Sequence, residues 1–350
     1  MQHMTTARPM VAILVVNFRR TFDTLECLDS LLQVSDPPFH VFLADNGSGN
    51  DDVALLRNYA NQYRERITLI LFTENHGFTG AHNRLFEQIV SDDGRYEFIL
   101  LLNNDTVVEP DFLARMLERI DRTQRIEMVA ARMMRYDNRT CVDNLGITFY
   151  KCGLASNRKS PDDPLLGPCG GCALYTTELL RQVHQKTGEY FDEHFFCYAE
   201  DTDLAWRAVL LGYRAAYTDN ALVYHKGSVA SGGPNSDFVL YHGIRNSLFV
   251  LVKSVPTRLI WPNLGWILLV HAAILLRHAL KGKIRIVFQL YRDFLKGAPA
   301  MWRKRRDLQR QWLTPLSPNS RVDLPINRAF YEHGYIKKSL RELIGLPSYY

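Results

Sequence analysis

One carboxylate that directly follows a buried strand could bind a metal ion. Residues 98–102 read FILLL, and the chain then turns polar at Asn103, Asn104 and Asp105. Such an apolar run suits a strand buried on both faces, whose polar end emerges at the carboxyl edge of a parallel sheet. Ligands of open α/β sheets bind at that edge, so Asp105 is placed to hold a metal–phosphate group. A solvated Asx turn explains the same residues about as well.

A second group of acids begins a segment with helical spacing. Glu200, Asp201 and Asp203 precede an apolar helical face and follow an aromatic run that includes Phe195 and Phe196. Acids in a first turn stabilise a helix through its dipole by about 0.3–1 kcal/mol each, which alone would explain them. A carboxylate beside an aromatic wall can have a raised pKa and act as a general base. We favour the catalytic interpretation.

Two more polar residues follow predicted strands. Asp45 ends one strand, where a carboxylate can accept a hydrogen bond from a base or a ribose hydroxyl, and Asn46-Gly47 after it is strong turn chemistry. The two roles are compatible. His225 follows a later strand, and we weigh a metal-ligand role evenly against that of a histidine satisfied within the fold.

A glycine-containing loop precedes one predicted helix. Residues 75–83 read NHGFTGAHN, which places Gly77 and Gly80 near the helix start. Backbone N–H groups at a helix N-terminus suit a diphosphate. The loop matches neither a Walker sequence nor a dinucleotide fingerprint, and a need for positive φ explains its glycines as well.

Strand ends must meet for these residues to form one site. Apolar runs alternate with segments of helical spacing, and this alternation predicts an α/β fold with a doubly wound, Rossmann-like, mostly parallel sheet flanked by helices. The predicted strands are 11–16, 40–44, 68–72 and 98–102, and the predicted helices are 21–32, 53–66 and 80–90. Further along, strands are predicted at 128–132, 173–175, 214–217 and 221–224, and helices at 110–119, 177–183 and 202–211.

The C-terminal part of the chain differs in charge from the rest. Residues 253–306 contain 12 basic residues and one acid, whereas the remainder contains 30 basic and 36 acidic residues. Residues 259–276 are apolar but include a proline, an asparagine and a glycine, and a spanning helix needs about 20 apolar residues. The pattern favours helices lying on an anionic membrane over nucleic-acid binding; a packed helical subdomain is the alternative. We predict two regions: a catalytic region at 8–250 and a helical C-terminal region at 251–350.

Cysteine usage and the N-terminus indicate a cytoplasmic protein. The six cysteines do not form a disulfide framework, and no secretory signal is evident. Cys169 and Cys172 have the spacing of a redox or zinc pair, but a second pair is absent. We favour a structural role in which Gly170 and Gly171 allow close packing beside a pocket.

In combination, these segments resemble the inverting family 2 glycosyltransferases of the GT-A fold, and most of all the bacterial rhamnosyltransferase-like enzymes that build cell-surface polysaccharides. The resemblance covers about residues 10 to 250. It rests on an ordered set of motifs: VVNF at 15–18, DNGS at 45–48, NHGF at 75–78 with Gly80 and Asn83, LNND at 102–105, Gly170-Gly171, AEDTDL at 199–204 and VYH at 223–225.

The resemblance implies a role for each matching residue. Asp45 and Asn17 would line the pyrimidine pocket of a nucleotide-sugar donor, with Asn46, Gly77, Gly80, Asn83 and Asn103 also on the donor side. Asp105 would hold Mg²⁺ or Mn²⁺ against the diphosphate, with His225 as a further ligand. Asn103 stands where the family motif has its first acid, which leaves one carboxylate for the metal. Asp201 would be the catalytic base, with Glu200 and Asp203 as neighbouring alternatives.

The implied donor is dTDP-rhamnose or a UDP-hexose, and the implied acceptor is a lipid-linked or growing polysaccharide. Residues 137–168 are expected on the acceptor side. We expect a cytoplasmic enzyme that is peripheral on the inner face of the plasma membrane. A nucleotidyltransferase is less compatible, because Asn17-Phe18-Arg19-Arg20 has no glycine after the first strand. The other alternative is an inactive relative that serves as a scaffold or glycan-binding module.

Overall fold

The computed structural model describes residues 10–90, 94–227, 232–233, 236–312, 324–332, 334, 337 and 341. The first residues of the predicted catalytic region, 8 and 9, lie outside the described residues, as do many residues of 313–350. The division into 8–250 and 251–350 stays a prediction.

The N-terminal half forms the parallel part of the main sheet, as predicted. Its strands are β1 (Val11–Asn17), β2 (Phe39–Asn46), β3 (Ile67–Phe72) and β4 (Phe98–Leu102), in the spatial order β3-β2-β1-β4. Helices α1 (Thr21–Leu32), α2 (Asn50–Gln62) and α3 (Gly77–Val90) alternate with them. The register sets Asn17 beside Asp45, so the polar ends of β1 and β2 meet at one edge.

The apolar runs of β1 and β4 are continuous because these two strands are covered on both faces. Along β1, Val11, Ile13 and Val15 belong to a core cluster with residues of α1, whereas Ala12 and Leu14 belong to a second cluster with residues of α3. All of these side chains are fully buried. This part of the sheet is therefore the middle layer of three, whereas the edge strand β3 is partly exposed.

The second half of the main sheet is mixed in direction. It adds β5 (Thr106–Val108), β6 (Ile126–Arg135), β7 (Val142–Asn144), β10 (Cys172–Thr176) and β11 (Arg214–His225). Strand β10 lies antiparallel between β4 and β6, and β11 runs parallel to β6. The two strands predicted at 214–217 and 221–224 are one strand, β11, with a register irregularity between Tyr217 and Leu222.

The sequence predicts no helix or strand within residues 137–168, but the structure has strands there. Residues 137–168 contain β7 and two strands of a small second sheet, in the order β12-β8-β9. These strands are β8 (Ile147–Tyr150), β9 (Ala155–Asn157) and β12 (Ile326–Asn327). Each is short and pairs with a partner remote in sequence or across a turn, which explains why periodicity did not reveal them.

The remaining helices are α4 (Phe112–Leu117), α5 (Thr177–Thr187), α6 (Glu200–Leu210), α7 (Asp237–Lys253), α8 (Thr257–Leu280) and α9 (Ile284–Trp312). Helix α4 is shorter than predicted and begins after Pro110 and Asp111. Helix α6 begins at Glu200, so the acidic group occupies its first turn. The predicted helical C-terminal extension is present as α8 and α9.

Candidate active site

A cleft of about 890 Å³ opens at the polar edge of the sheet. It is lined by residues that follow β1, β2 and β4, by the first turn of α6, by β7 and β9, and by the end of β11. The predicted site residues that line it are Asn46, Gly77, Asn103, Asp105, Glu200, Asp201 and His225. Asn17, Asp45, Gly80, Asn83 and Asp203 are buried elsewhere and do not line it. The sheet edge therefore brings together seven of the twelve residues.

Asp105 and His225 meet because two strands pair. His225 is the last residue of β11 and lies opposite Thr106 of β5, so it comes next to Asp105. Its Nε2 lies 3.3 Å from Asp105 Oδ1 and 3.4 Å from Asn103 Nδ2. Its Nδ1 lies 2.7 Å from an Oδ2 of Asp143. Burial works against the charged ring, but hydrogen bonds to Asp105 and Asp143 raise the pKa of His225 to about 10.

This pair fits a divalent cation by its donor types and spacing. Carboxylate oxygen and imidazole nitrogen both bind Mn²⁺, and Mg²⁺ accepts carboxylate oxygen with waters and phosphate. The 3.3 Å between Oδ1 and Nε2 is close to the roughly 3 Å that separates adjacent octahedral ligands about 2.1 Å from an ion. Among the described residues no group of three His, Cys, Asp or Glu converges on one metal position. Asp105 and His225 would therefore hold an ion that also needs donor oxygens and water.

Asp201 is a partly buried carboxylate held by backbone donors. Its Oδ2 accepts a hydrogen bond from Gly170 N at 2.9 Å, and its Oδ1 accepts one from Thr202 N at 2.6 Å. Burial raises the pKa of Asp201 above its usual range, although these hydrogen bonds oppose the rise. A Cβ on Gly170 would lie 3.0 Å from Phe78 Cζ, so the small residue allows close packing here, as predicted.

Glu200 lines the cleft beside Asp201 but is in a different state. Burial and the neighbouring Asp201 raise the pKa of Glu200 well above its usual range. Its buried Oε2 has no hydrogen-bond partner among the described residues. Glu200 is therefore the neutral member of the pair, and Asp201 is the one available as a carboxylate.

Asp203 lies outside the cleft, which argues against it as an alternative base. It is fully buried, with Oδ2 2.8 Å from Lys253 Nζ and 2.9 Å from Arg207 Nε, and it also accepts a hydrogen bond from Ser254. Burial alone would raise its pKa, but Lys253 and Arg207 hold the pKa of Asp203 below its usual range. It is a structural ion-pair partner on the core side of α6.

A strained turn brings the first turn of α6 to the cleft. Phe196, Tyr198 and Ala199 have φ of 63°, 72° and 65°, values that non-glycine residues rarely adopt. The Nδ2 of Asn246 on α7 donates to the carbonyls of residues 195, 197 and 198 at 2.7–2.9 Å. Phe196 and Tyr198 line the cleft, whereas Phe195 is in the core. The aromatic run thus supplies both a cleft wall and a core anchor.

The donor-side residues divide into a cleft wall and its support. Asp45 accepts hydrogen bonds from Asn17 Nδ2 at 2.8 Å and Ser48 N at 2.9 Å, and both Asn17 and Asp45 are fully buried. Asn46 lines the cleft, and its Nδ2 donates to the carbonyl of Gly77 at 3.0 Å. Asp45 therefore closes the turn that presents Asn46, which agrees with the turn interpretation and leaves a nucleotide role for Asp45 untested.

Helix α3 contributes one cleft glycine and two structural residues. Gly77 has φ +69°, and a Cβ there would lie 2.4 Å from the carbonyl oxygen of Phe196, so only glycine fits. Gly80 packs against His76. The side chain of Asn83 makes two hydrogen bonds of 2.9 Å to the backbone of Phe191. Asn83 thus fixes α3 against the 191–196 segment, and neither Gly80 nor Asn83 lines the cleft.

Sequence reasoning missed Asp143, which lines the cleft on β7. Its partner His225 is 82 residues further along the chain. It also missed the cleft residues Ser156, Asn157, Ser247 and Tyr331. No local pattern marks these residues, although 137–168 was expected to contribute to the acceptor side.

Solved structures with the same architecture are glycosyltransferases. The mannosyltransferase PcManGT from Pyrobaculum calidifontis, in complex with GDP-Man and Mn²⁺, aligns with a TM-score of 0.54 and 17% identity over 90% of this chain and 89% of that one. S. aureus TarS 1–349 in complex with UDP-GlcNAc aligns with a TM-score of 0.55 and 16% identity over 93% of this chain and 97% of that one. GalNAc-T7 with UDP, GalNAc and Mn²⁺ aligns with a TM-score of 0.53 and 12% identity over 69% of this chain and 48% of that one. The likeness shows that the chain has the GT-A fold.

A family model then places the chain more closely. The model described as "Glycosyltransferase like family 2" matches residues 8–239, more than half of the chain. The chain belongs to this family and is a glycosyltransferase. No curated protein matches it in sequence.

Proposed function

We propose that this glycosyltransferase moves a sugar from a nucleotide-sugar donor to an acceptor hydroxyl, with inversion at the anomeric carbon. The observation that carries the proposal is one cleft lined both by the Asp105–His225 pair and by Asp201, a partly buried carboxylate with a raised pKa. The first group suits a diphosphate with its cation, and the second suits an acceptor hydroxyl. Transfer of a sugar from a nucleoside diphosphate to an acceptor hydroxyl is the reaction that uses both the pair and the base.

Asp201 is the proposed base. It takes the proton from the acceptor hydroxyl while the acceptor oxygen forms its bond to the anomeric carbon. The bond from that carbon to the diphosphate oxygen breaks on the opposite face, and the nucleoside diphosphate leaves with the bonding electrons. Burial strengthens Asp201 as a base by raising its pKa, and Gly170 N and Thr202 N fix its orientation. Glu200, held neutral beside it, does not compete for the proton.

Asp105 and His225 are the proposed ligands of Mg²⁺ or Mn²⁺. An ion bound there would offset the negative charge of the departing diphosphate. Asn103 stands 3.4 Å from His225 Nε2 and keeps the ring beside Asp105.

The proposed donor is dTDP-rhamnose, with a UDP-hexose as the main competitor. The support is the subfamily resemblance of the motifs and the polar turn at residues 45–48, with Asn46 on the cleft wall. The similar solved structures hold GDP-Man and UDP-GlcNAc, so their nucleotides differ.

Calorimetric titration with dTDP, UDP, GDP and CMP, with and without Mn²⁺, tests the donor side. We expect metal-dependent binding of dTDP or UDP. Binding of GDP alone would overturn the pyrimidine donor, and binding of none of the four by folded protein would favour an inactive relative.

We also propose that the acceptor is lipid-linked or a growing polysaccharide, and that the enzyme works on the cytoplasmic face of the plasma membrane. The support is α8, which is long and apolar enough to cross a membrane by length and composition and is mostly exposed. Its buried residues are Ile267, Val270 and Ile274, one narrow stripe. Among its exposed residues, Trp261 is 69% accessible, and so is Phe288 on α9.

Charge supports an anionic bilayer as the proposed partner for this face. No Asp, Glu, Lys or Arg occurs in residues 259–276, whereas Arg258, Arg277, Lys281, Lys283 and Arg285 stand at or beyond the two ends. Apolar surface flanked by cations matches hydrocarbon bordered by anionic headgroups. Val270 and Ile274 of this stripe pack in one cluster with Tyr150, Leu154 and Tyr331, and the latter two line the cleft. A membrane on the outer face of α8 therefore lies near one wall of the cleft.

Vesicle flotation tests this surface. The double variant Trp261→Glu/Phe288→Glu should lose binding to phosphatidylglycerol-containing vesicles, because each change puts a charge on the apolar face. Phe22→Glu is the matched control, since Phe22 is 79% exposed on α1. Flotation of the double variant would overturn the membrane proposal. So would an unchanged protein that does not float and forms a concentration-dependent dimer. Donor titration reports separately on the transferase site.

Truncation after residue 252 is a poorer test of membrane binding than these substitutions. It would remove Lys253, whose Nζ lies 2.9 Å from Asp192 and 2.8 Å from Asp203. Both carboxylates are fully buried and would be left without this partner.

A further inference from the structure

Asp143 contacts the edge of the His225 ring that points away from Asp105. The Oδ2 of Asp143 lies 2.7 Å from His225 Nδ1, while Nε2 of the same ring lies 3.3 Å from Asp105. An ionised carboxylate only accepts hydrogen bonds, so the hydrogen between them belongs to Nδ1. With a cation bound at Nε2, the ring would keep its hydrogen on Nδ1 and direct its Nε2 lone pair to the ion beside Asp105.

The backbone fixes this arrangement on three strands. Strand β7, which carries Asp143, pairs with β6 next to it at Met133–Asn144, and β11 pairs with β6 through Arg135–His225. Both partners of the hydrogen bond are thus attached to the same strand. Asp143 is also largely buried, with 23% of its side chain accessible. The ring is held by the sheet and does not depend on a flexible loop.

Asp143 supports the metal position without sharing it. Within the described part of the chain, Asp105, His225 and Asp143 do not converge on one point that a metal could occupy. The imidazole ring stands between the two carboxylates. A carboxylate behind a ligating histidine orients the ring, selects its tautomer and makes the ligand more basic.

We propose that Asp143 is a positioning residue that fixes the ring and the tautomer of His225 so that Nε2 binds the divalent cation. The proposal rests on the metal role of Asp105 and His225 in the proposed function. It assigns to the 137–168 segment a role on the metal side of the cleft.

The test measures the metal itself. Mn²⁺ affinity is obtained by titration calorimetry in the presence of whichever of dTDP, UDP, GDP and CMP binds the unchanged protein, and pulsed EPR detects nitrogen coupling from a histidine bound to Mn²⁺. Asp143→Ala should weaken Mn²⁺ binding by about 10- to 100-fold and reduce the nitrogen coupling. Asp137→Ala is the matched control, because that exposed carboxylate pairs with Arg135 in the same region and should leave both readouts unchanged.

The outcomes separate positioning from a merely structural role. Asp143→Ala with a lower Tm but Mn²⁺ affinity within twofold of the unchanged protein would overturn the proposal. If that variant does not fold, Asp143→Asn decides, because its amide can turn its NH₂ towards Nδ1 and favour the wrong tautomer. We expect weaker Mn²⁺ binding for Asp143→Asn, and unchanged binding overturns the proposal. Mn²⁺ binding without nitrogen coupling in the unchanged protein removes His225 from the metal and overturns this inference, but leaves the transferase proposal standing.

Discussion

Two walls of the cleft are built in different ways. The donor wall contains Asn46 and Asp105, and the base wall contains Asp201. The donor wall follows parallel strands, and its polar residues are held by neighbours in the same turn or the adjacent strand end, as in the hydrogen bonds from Asn17 and Ser48 to Asp45. The base wall depends on distant contacts. Asp201 is reached through a strained turn that Asn246 holds from 48 to 51 residues away, and the helix behind it is fixed through Lys253.

The difference shows how two acids on one helix acquire opposite roles. Asp201 and Asp203 are two residues apart on α6. Asp203 is fully buried, whereas Asp201 is partly buried and lines the cleft. Burial prevails at Asp201 and raises its pKa, whereas two cations prevail at Asp203 and lower its pKa. A base requires the first environment and a stable core requires the second. The following changes test whether the two walls are as distinct as they appear in the structure.

The largest effect is expected for Asp201→Asn. Removal of the proposed base should reduce the rate of transfer by about 10²- to 10⁴-fold, while donor binding stays near normal because the substitution is isosteric. The measurement is kcat for sugar transfer together with calorimetric donor affinity. Glu200→Gln is the control, since Glu200 is already neutral and should tolerate an amide. Near-normal transfer by Asp201→Asn would remove the base assignment.

The pH dependence of the unchanged enzyme tests the same assignment. Asp201 must be ionised to accept a proton, and its pKa is raised, so kcat/KM should fall on acidification at a pH above the ordinary aspartate value of 3.8. Activity is retained above the raised pKa and lost as pH falls through it. An acid limb at or below that ordinary value would contradict the raised pKa.

Asp105→Ala tests the donor wall. If Asp105 holds the cation, loss of charge compensation at the diphosphate should raise the activation free energy by several kcal/mol. That rise lowers kcat/KM on the order of 10²-fold or more. Nucleotide affinity should also lose most of its dependence on Mn²⁺, which calorimetry measures directly. Asp111→Ala, an exposed carboxylate paired with Arg115, should change neither quantity. Metal-dependent binding that persists in Asp105→Ala would show that the cation is held elsewhere.

Lys253→Met tests the support behind the base wall. The Lys253 side chain is 1% accessible and contacts Glu189, Asp192 and Asp203. Removal of one member of a buried ion cluster should lower the free energy of unfolding by about 3–5 kcal/mol, because uncompensated charges stay buried. Denaturant unfolding measures the change. Lys296→Met, at an exposed pair 3.9 Å from Asp293, should cost about 0–1 kcal/mol. Equal losses in the two variants would mean that the cluster does not stabilise α6.

Predictability from sequence follows the same division. The four parallel strands and the positions of Asp105 and Asn46 could be predicted, because apolar runs and turn residues are local signals. His225 could be proposed only as a polar residue after a strand, and its pairing with Asp105 depends on β5 and β11. Asp143 gave no signal at all. The environment of Asp203 could not be predicted for the same reason, because one of its two cations, Lys253, lies 50 residues further along the chain.

The smallest effect is expected for Asn246→Ala, which removes the amide that holds the strained turn. Its Nδ2 carries two hydrogens, which the three carbonyls share, and each net hydrogen bond contributes about 0.5–1.5 kcal/mol, so unfolding should become easier by about 1–3 kcal/mol. The turn should then relax away from positive φ and shift Asp201, so kcat falls more than donor affinity. Asn263→Ala on α8, which loses one bond within its own helix, should affect stability slightly and donor affinity not at all. An Asn246→Ala enzyme with full kcat and reduced stability would show that the turn keeps its shape without α7, and the base wall would then be as local as the donor wall.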